Sequence, residues 1–344
     1  MTAAPFRTLG VTAPVLAAPM AGGPSTPELV IAAARAGGLG FLAGGYRTAP
    51  ALAEQIAKVR AAGVSFGVNL FAPNPVPVDR AEFLRYAQLI AGEGEPYGLD
   101  LAAAAIVEDD DLWHGKIDLL LADPVPVASF TFGIPSGQVI QALRQAGTLV
   151  AQTVTSAGEA RLAVECGADV LMVQACAAGG HSGTLTPQEF PADIPLAELL
   201  AQVTAAVPVP VVAAGGIATP EAAAAAVRAG AAAVAVGTVL LRAGEAGTTP
   251  THRAALADPA RRETVLTRAF TGRPARGLRN RFTDLYSPAA PGGYPALHHL
   301  TSPLRKAAAA AGDPERLHLW AGTGYRQATA EPAAAILARL AQQL

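Results

Sequence analysis

Only two of the 344 residues are cysteines, Cys166 and Cys176, only three are lysines, and charged residues make up 15% of the chain. Two cysteines cannot build a disulfide framework, and their Cys-x9-Cys spacing fits no zinc pattern. A reducing, cytoplasmic setting is the expectation. None of Lys58, Lys116 and Lys306 follows an apolar run of strand length, which argues against a Schiff-base aldolase. The net charge of −2, with no basic stripe, removes nucleic acid as a partner. Long unbroken apolar runs are missing too. The stretch after Arg7 imitates a secretory leader until Pro14 and Pro19 interrupt it. Val203 to Val227 contains Pro208, Pro210, Gly215, Gly216, Pro220 and Glu221, so no membrane segment is expected.

What is abundant is apolar surface and turn-forming residues: 51% hydrophobic residues, 35 glycines and 28 prolines, the composition of a large α/β core with many short connections. Short apolar runs alternate with alanine-rich helical segments, the pattern of βα units around a parallel sheet. The expected strands are Val15 to Ala18, Leu39 to Ala43, Phe66 to Leu70, Val125 to Phe130, Thr148 to Gln152, Val170 to Gln174, Val209 to Ala213 and Ala233 to Val236. Eight parallel strands close a TIM (β/α)8 barrel.

Helix starts are marked by Ser25 with Glu28, by Ser156 with Glu159, both at capping-box spacing, and by Thr219 before Pro220. Gly37, Gly167 and Gly230 stop helices. "RLAVECGADVLMVQA" and "AAAVRAGAAAVAVGT" use one helix-glycine-strand template twice, and "IAAARAGGLGFLAGG" is a looser copy. Two segments break the rhythm, 73–111 after the third strand and 253–317 after the eighth. The expected organisation is therefore a barrel over 1–252 with an insertion at 73–111, a mostly helical lid over 253–317, and a segment 318–344 that returns to the barrel.

Barrel chemistry sits on the loops after the strands' C-terminal ends. Gly215 and Gly216 follow the seventh strand, and Gly237 and Thr238 follow the eighth, where small residues let backbone N–H groups approach a phosphate. His181 stands just past the sixth strand in "VQACAAGGHSGT", behind Gly179 and Gly180, and histidine holds or releases a proton near neutrality. Asn69, Gln152 and Gln174 at other strand ends offer amide donors and acceptors suited to a heteroaromatic ring. Together these point to flavin mononucleotide. "GLGFLA", Gly38 to Ala43, has dinucleotide-fingerprint spacing but runs from helix into strand, the wrong order. His298 and His299 read as surface or lid packing rather than metal ligands, no metal site is expected, and Cys176 reads as a small buried residue rather than a nucleophile.

"APMAGGPSTPELV", "FGVNLFAPNP", "VASFTFGIP", "VQACAAGGHSGT", "VVAAGGI" and "WAGTGYR", in this order along nearly the whole chain, resemble the nitronate monooxygenases. The resemblance implies noncovalent FMN and oxidation of alkyl nitronates, such as propionate 3-nitronate, by O2 to a carbonyl compound and nitrite or nitrate. Carried onto this chain, it implies FMN contacts at Asn69, Gln174, Gly179, Gly216, Ala235, Val236, Gly237 and Thr238. It also implies that Met20 and Ala21 lie against the ring, that Gly322 and Thr323 close the site, and that His181 is the catalytic base or substrate-positioning residue. The chain departs from the family's "GxEAGGH" at Ala175 and Ala177, and from "WAGQG" at Thr323.

The competing expectation is an NAD(P)H-dependent flavin reductase acting on a quinone or an enoyl-thioester. A non-enzymatic flavin-binding protein and a metal-dependent barrel hydrolase are more distant alternatives. Small-molecule substrate and O2 are the expected partners, and a monomer and a homodimer are both compatible with the sequence.

Overall fold

The computed structural model describes residues 4–344. Eight parallel strands close on one another: β1 (Val15–Ala17), β2 (Leu39–Ala43), β3 (Phe66–Phe71), β4 (Val127–Thr131), β5 (Leu149–Val154), β6 (Val170–Gln174), then, after a short β7 (Gly180–His181), β8 (Val211–Ala214) and β9 (Ala233–Val236). The ring closes through Val15 beside Val234 and Ala17 beside Val236. This is the TIM barrel that the strand count predicts. Two strands begin two residues later than expected, β4 after Pro126 and β8 after Pro210, because a proline has no N–H to give the ladder. Among the described residues no helix is long and apolar enough to cross a membrane.

Alternate residues of each strand point inward and fill the barrel. Leu16, Phe41, Val127, Ala151, Met172, Val212 and Ala235 form one packed cluster there. The outward set, with Leu42, Val68, Ala128 and Val150 on one side and Val173, Ala213 and Val234 on the other, meets the helices. Helices follow the strands as the caps and glycines predict, with Gly37, Gly167 and Gly230 at φ of 85°, 103° and 103°. "GLGFLA" is indeed β2, entered from a helix.

Two caps differ from expectation. The helix Pro27–Arg35 is capped by Thr26, whose Oγ1 accepts from the Leu29 N–H, while Ser25 accepts from the Met20 N–H at 2.8 Å and shapes the loop after β1. Ser156 does cap its helix, but Glu159 does not close the box. Its buried carboxylate takes the Thr155 N–H on one oxygen and the Thr184 hydroxyl and Leu185 N–H on the other. A residue spaced like a cap therefore anchors the chain beyond His181.

The two irregular segments are parts of one cap. Phe83, Tyr86 and Ile90 of the insertion pack with Phe270, Phe282, Leu297 and Leu304 of the later excursion. The cap is not only helical. β10 (Thr264–Thr267) and β11 (Ala275–Leu278) pair antiparallel, and β11 pairs on its other side with β7. The closing helix Ala333–Leu340 returns to the barrel wall, where its buried Ile336 and Leu337 join the cluster of Leu29, Ala223 and Val236.

A buried carboxylate binds the two halves of the cap. Glu93, 3% exposed, accepts two bonds from Arg281 at 2.8 Å, one from Arg316 at 2.6 Å and one from Tyr286 at 2.6 Å. Burial opposes its ionisation, and the donors from Arg281, Tyr286 and Arg316 outweigh burial and hold the carboxyl below its usual range. Glu93→Ala is expected to lower stability by up to about 3 kcal/mol, at the low end of the about 3–5 kcal/mol for breaking a buried pair. Arg281 remains 47% exposed and can be solvated, which limits the loss. Thermal melts should show the loss, and limited proteolysis should cut the cap first.

Candidate active site

A cavity of about 850 Å³ opens at the C-terminal ends of the barrel strands and is roofed by the cap. Met20, Ala21, Asn69, Gln174, Gly179, Gly180, His181, Gly215, Gly216, Ala235, Val236, Gly237, Thr238 and Gly322 all line it, so residues spread over 300 positions of sequence converge. Two expected contacts lie elsewhere. Gln152, 1% exposed, sits on the outward face of β5 and donates to the Gly133 and Thr153 carbonyls. Strand alternation turns its neighbour Thr153 into the cavity instead. Thr323 is exposed and does not line the cavity; its N–H donates to the Ala177 carbonyl at 3.0 Å.

The glycine pair before His181 has two separate physical reasons. A Cβ on Gly179 would stand 2.5 Å from the Gly322 nitrogen, so the space it leaves is filled by the protein's own backbone, not by a ligand. Gly180 has open space around it but a φ of 77°, which a side chain would strain. The turn delivers His181 onto β7, opposite Ala275 of β11, and the Ser182 N–H donates to the Pro274 carbonyl at 2.8 Å.

The amides of the floor are oriented by their neighbours. Asn69 Oδ1 accepts from Ser129 Oγ at 2.9 Å and Thr131 Oγ1 at 3.0 Å, leaving Nδ2 as a donor with no partner among the described residues. Gln174 holds the histidine loop, donating to the His181 carbonyl at 3.1 Å and accepting from the Gly183 N–H at 2.7 Å. Among the described residues the N–H groups of Gly215, Gly216, Gly237 and Thr238 meet no protein acceptor. Thr238 Oγ1 accepts from the Gly322 N–H at 3.0 Å, so its own hydroxyl hydrogen is free to donate.

His181 does not stand alone in open space, as its glycine-rich surroundings suggest. Phe132, Tyr294 and Trp320 surround its ring at centroid distances of 5.6, 5.9 and 5.4 Å, and its Nε2 lies 2.9 Å from Thr271 Oγ1. Phe132 is held at a φ of 83°, with the Arg273 guanidinium 4.0 Å from its ring centre. Burial first, then the cations of Arg273 and Arg305, push the His181 imidazolium down to about 3, so the ring is neutral at physiological pH.

Several cavity residues carried no sequence signal. Tyr46, Tyr294, His298 and Arg305 come from a barrel loop and the cap, outside any strand-end motif, and Phe132, though within "VASFTFGIP" just after β4, had no role assigned to it by the sequence. His298 is no surface residue: it stacks on Tyr46 at 4.2 Å and lines the cavity, whereas His299 pairs with Asp109 at 2.9 Å. Among the described residues no cluster of histidine, cysteine or acids could hold a metal ion. Cys176 lies outside the cavity lining, and burial and then Asp193 raise its thiol, which is the reverse of nucleophile activation.

Four histidines of the cavity wall share one electrostatic consequence. Burial lowers His252 to about 4 and, with Arg305 adding to it, lowers His298 and His318 well below their ordinary value, alongside His181. Unfolded, each titrates near pH 6.5. Below that pH the unfolded chain binds protons that the folded chain refuses, so stability falls as pH drops from about 6.5 toward 4. Each histidine contributes up to about 1.4 kcal/mol per pH unit. Melting temperatures measured from pH 7.5 to 4.5 should decline below 6.5, and His252→Gln should flatten part of that slope.

A profile described as nitronate monooxygenase matches residues 5–343. A probable nitronate monooxygenase of Staphylococcus aureus (strain Newman) is 34% identical over 343 residues, covering 98% of this chain and 96% of that one. A solved structure of nitroalkane oxidase from Streptomyces ansochromogenes superposes with a TM-score of 0.92 at 46% identity, covering 99% of this chain and 97% of that one. FabK from Thermotoga maritima is more distant, with a TM-score of 0.74 at 26% identity over 100% of this chain and 96% of that one. With a barrel, a converged cavity and matches of this extent, the chain belongs to the nitronate monooxygenase family of flavin-dependent oxidoreductases.

Proposed function

We propose that the protein is an FMN-dependent nitronate monooxygenase, converting alkyl nitronates and O2 into a carbonyl compound and nitrite or nitrate. The observation that carries this reading is the neutral, ring-enclosed His181 in the same cavity as four unpartnered backbone amides. A volume of about 850 Å³ is ample for a flavin nucleotide and a small substrate.

The residues present suit a flavin mononucleotide. The free N–H groups of Gly215, Gly216, Gly237 and Thr238, with the Thr238 hydroxyl, are donors for its phosphate. Asn69 Nδ2 is a donor for the ring edge, and Met20 and Ala21 supply apolar contact. When bound, the flavin supplies electron acceptance from the nitronate and transfer onward to O2.

His181 is a poor base toward a neutral nitroalkane, because a conjugate acid near 3 is far from the working pH. It is better suited to a substrate that arrives already deprotonated. Nε2 shares a hydrogen bond with Thr271 Oγ1, whose hydroxyl also has the Arg273 carbonyl as an acceptor at 3.4 Å; in the tautomer in which the hydroxyl donates to Nε2, Nδ1 carries the proton and is the donor for a nitronate oxygen. An anion beside it also raises its proton affinity, so the imidazole gains charge-assisted character on binding.

Purified protein should be yellow, release FMN on heating, and consume O2 on addition of ethyl nitronate without NAD(P)H. Absence of both O2 uptake and anaerobic flavin reduction by nitronate overturns this reading. His181→Asn should retain flavin and lose about 10²–10³-fold in kcat/KM. With preformed nitronate, kcat/KM should show no inflection near pH 6.5, since that ratio reports the free enzyme, in which His181 is neutral down to about 3. The competing reductase reading makes NADPH the necessary control: bleaching within seconds under anaerobic conditions favours it.

A further inference from the structure

The cap helix Ala296–Ala311 carries Arg305 into the cavity wall. The residue is 6% exposed, and no carboxylate lies within ion-pairing distance of its guanidinium among the described residues. The two acids that line the same cavity have other partners: Asp109 pairs with His299 at 2.9 Å, and Asp111 with Lys116 at 2.7 Å. Burial lowers Arg305 only to about 10, so the cation persists at neutral pH.

Most of the guanidinium is held by the helix itself. Nε donates to Thr301 Oγ1 at 3.0 Å, and Nη2 reaches the His298 carbonyl at 2.9 Å and its Nδ1 at 3.2 Å. Among the described residues Nη1 has no protein acceptor, and it is not sealed within the core. A second guanidinium, Arg273, is fully buried behind Phe132 without a carboxylate within ion-pairing distance. Both cations act on His181, so the wall around the histidine is positive. A fixed, desolvated cation with one unfilled donor is costly unless an anion completes it. The unpartnered amides proposed for the cofactor phosphate belong to other loops, after β8 and β9.

We propose that Arg305 is the specificity-determining residue of this cavity, its free Nη1 binding the oxyanion of the substrate so that anionic nitronates are selected over neutral nitroalkanes. The proposal rests on the nitronate reading above and names what that site discriminates. A guanidinium edge matches a planar, two-oxygen anion better than an ammonium does. The hydroxyls of Tyr46 and Tyr294, 3.4 Å apart and both kept protonated by burial, are neutral and offer no competing anion.

The test uses the flavin-loaded protein and two readouts. Arg305→Met should raise KM for ethyl nitronate about 10–100-fold, the loss expected for one charge-assisted bond, with kcat changed far less. Inhibition by nitroethane, the neutral partner, should be unchanged, and Arg305→Lys should restore part of the nitronate affinity. Flavin content and melting temperature establish that the variants fold. Titration of the visible spectrum with nitrate, a planar trioxo anion, reads the same subsite without turnover. Binding should be lost in Arg305→Met. Equal weakening of nitronate and nitroethane would show that Arg305 only braces His298, and overturns the proposal. So does wild-type protein that ignores nitrate, or a variant that binds it as well as wild type. Wild-type protein that binds nitrate through Arg305 yet oxidises no nitronate overturns the function and leaves the anion subsite standing.

Discussion

The pairing of β7 with β11 is the constraint on which the site depends. Two residues after the sixth barrel strand, Gly180 and His181, are laid against Arg276 and Ala275, some 95 positions later in the chain. Further along the same edge, β11 bonds to the C-terminal segment, the Leu278 N–H to the Leu319 carbonyl at 2.8 Å and the Ala321 N–H to the Arg276 carbonyl at 3.2 Å, while β10 takes its other edge. One short strand thus joins the His181 loop, the cap and the returning terminus. Backbone bonds set the course of the chain at His181, and the side chains of Gln174 and Thr271 add to them, one on its carbonyl and one on its ring.

Around that strand the cap supplies chemistry the barrel lacks. The barrel mouth offers mostly amides, glycines and hydroxyls, with Arg47 after β2 as a charged group on the cavity wall. The cap brings Thr271 and Arg273 beside the histidine and Arg305 onto the cavity wall. Glu159 and Arg273 grip Thr184 together, the carboxylate taking its hydroxyl and the guanidinium its carbonyl. The result is an enclosure of aromatic rings and two guanidinium groups in which burial and the nearby cations keep the histidine neutral.

The barrel was legible because its signals are local and repeated. Each apolar run, each Ser or Thr before a helix and each glycine after one acts within a few residues, and eight repetitions outweigh single errors. The errors that occurred have local causes of their own: Pro126 and Pro210 delay two strands, and Ser25 is occupied by Met20 so that Thr26 caps. Gln152 was misplaced because a strand end shows which residue is last, while the pleat decides which one faces in.

The sequence by itself determined the eight-stranded parallel barrel and the loops that bear Gly216, Gly237 and His181. It did so because hydrophobic period, caps and turn residues encode local conformation directly. Only the tertiary structure decided that the two irregular segments form one cap, that β11 captures His181, and that Tyr46, Phe132, Tyr294, His298 and Arg305 enter its cavity. Those contacts join residues far apart in the chain, and a buried cation or a neutral histidine exists only once folding has excluded water from around it.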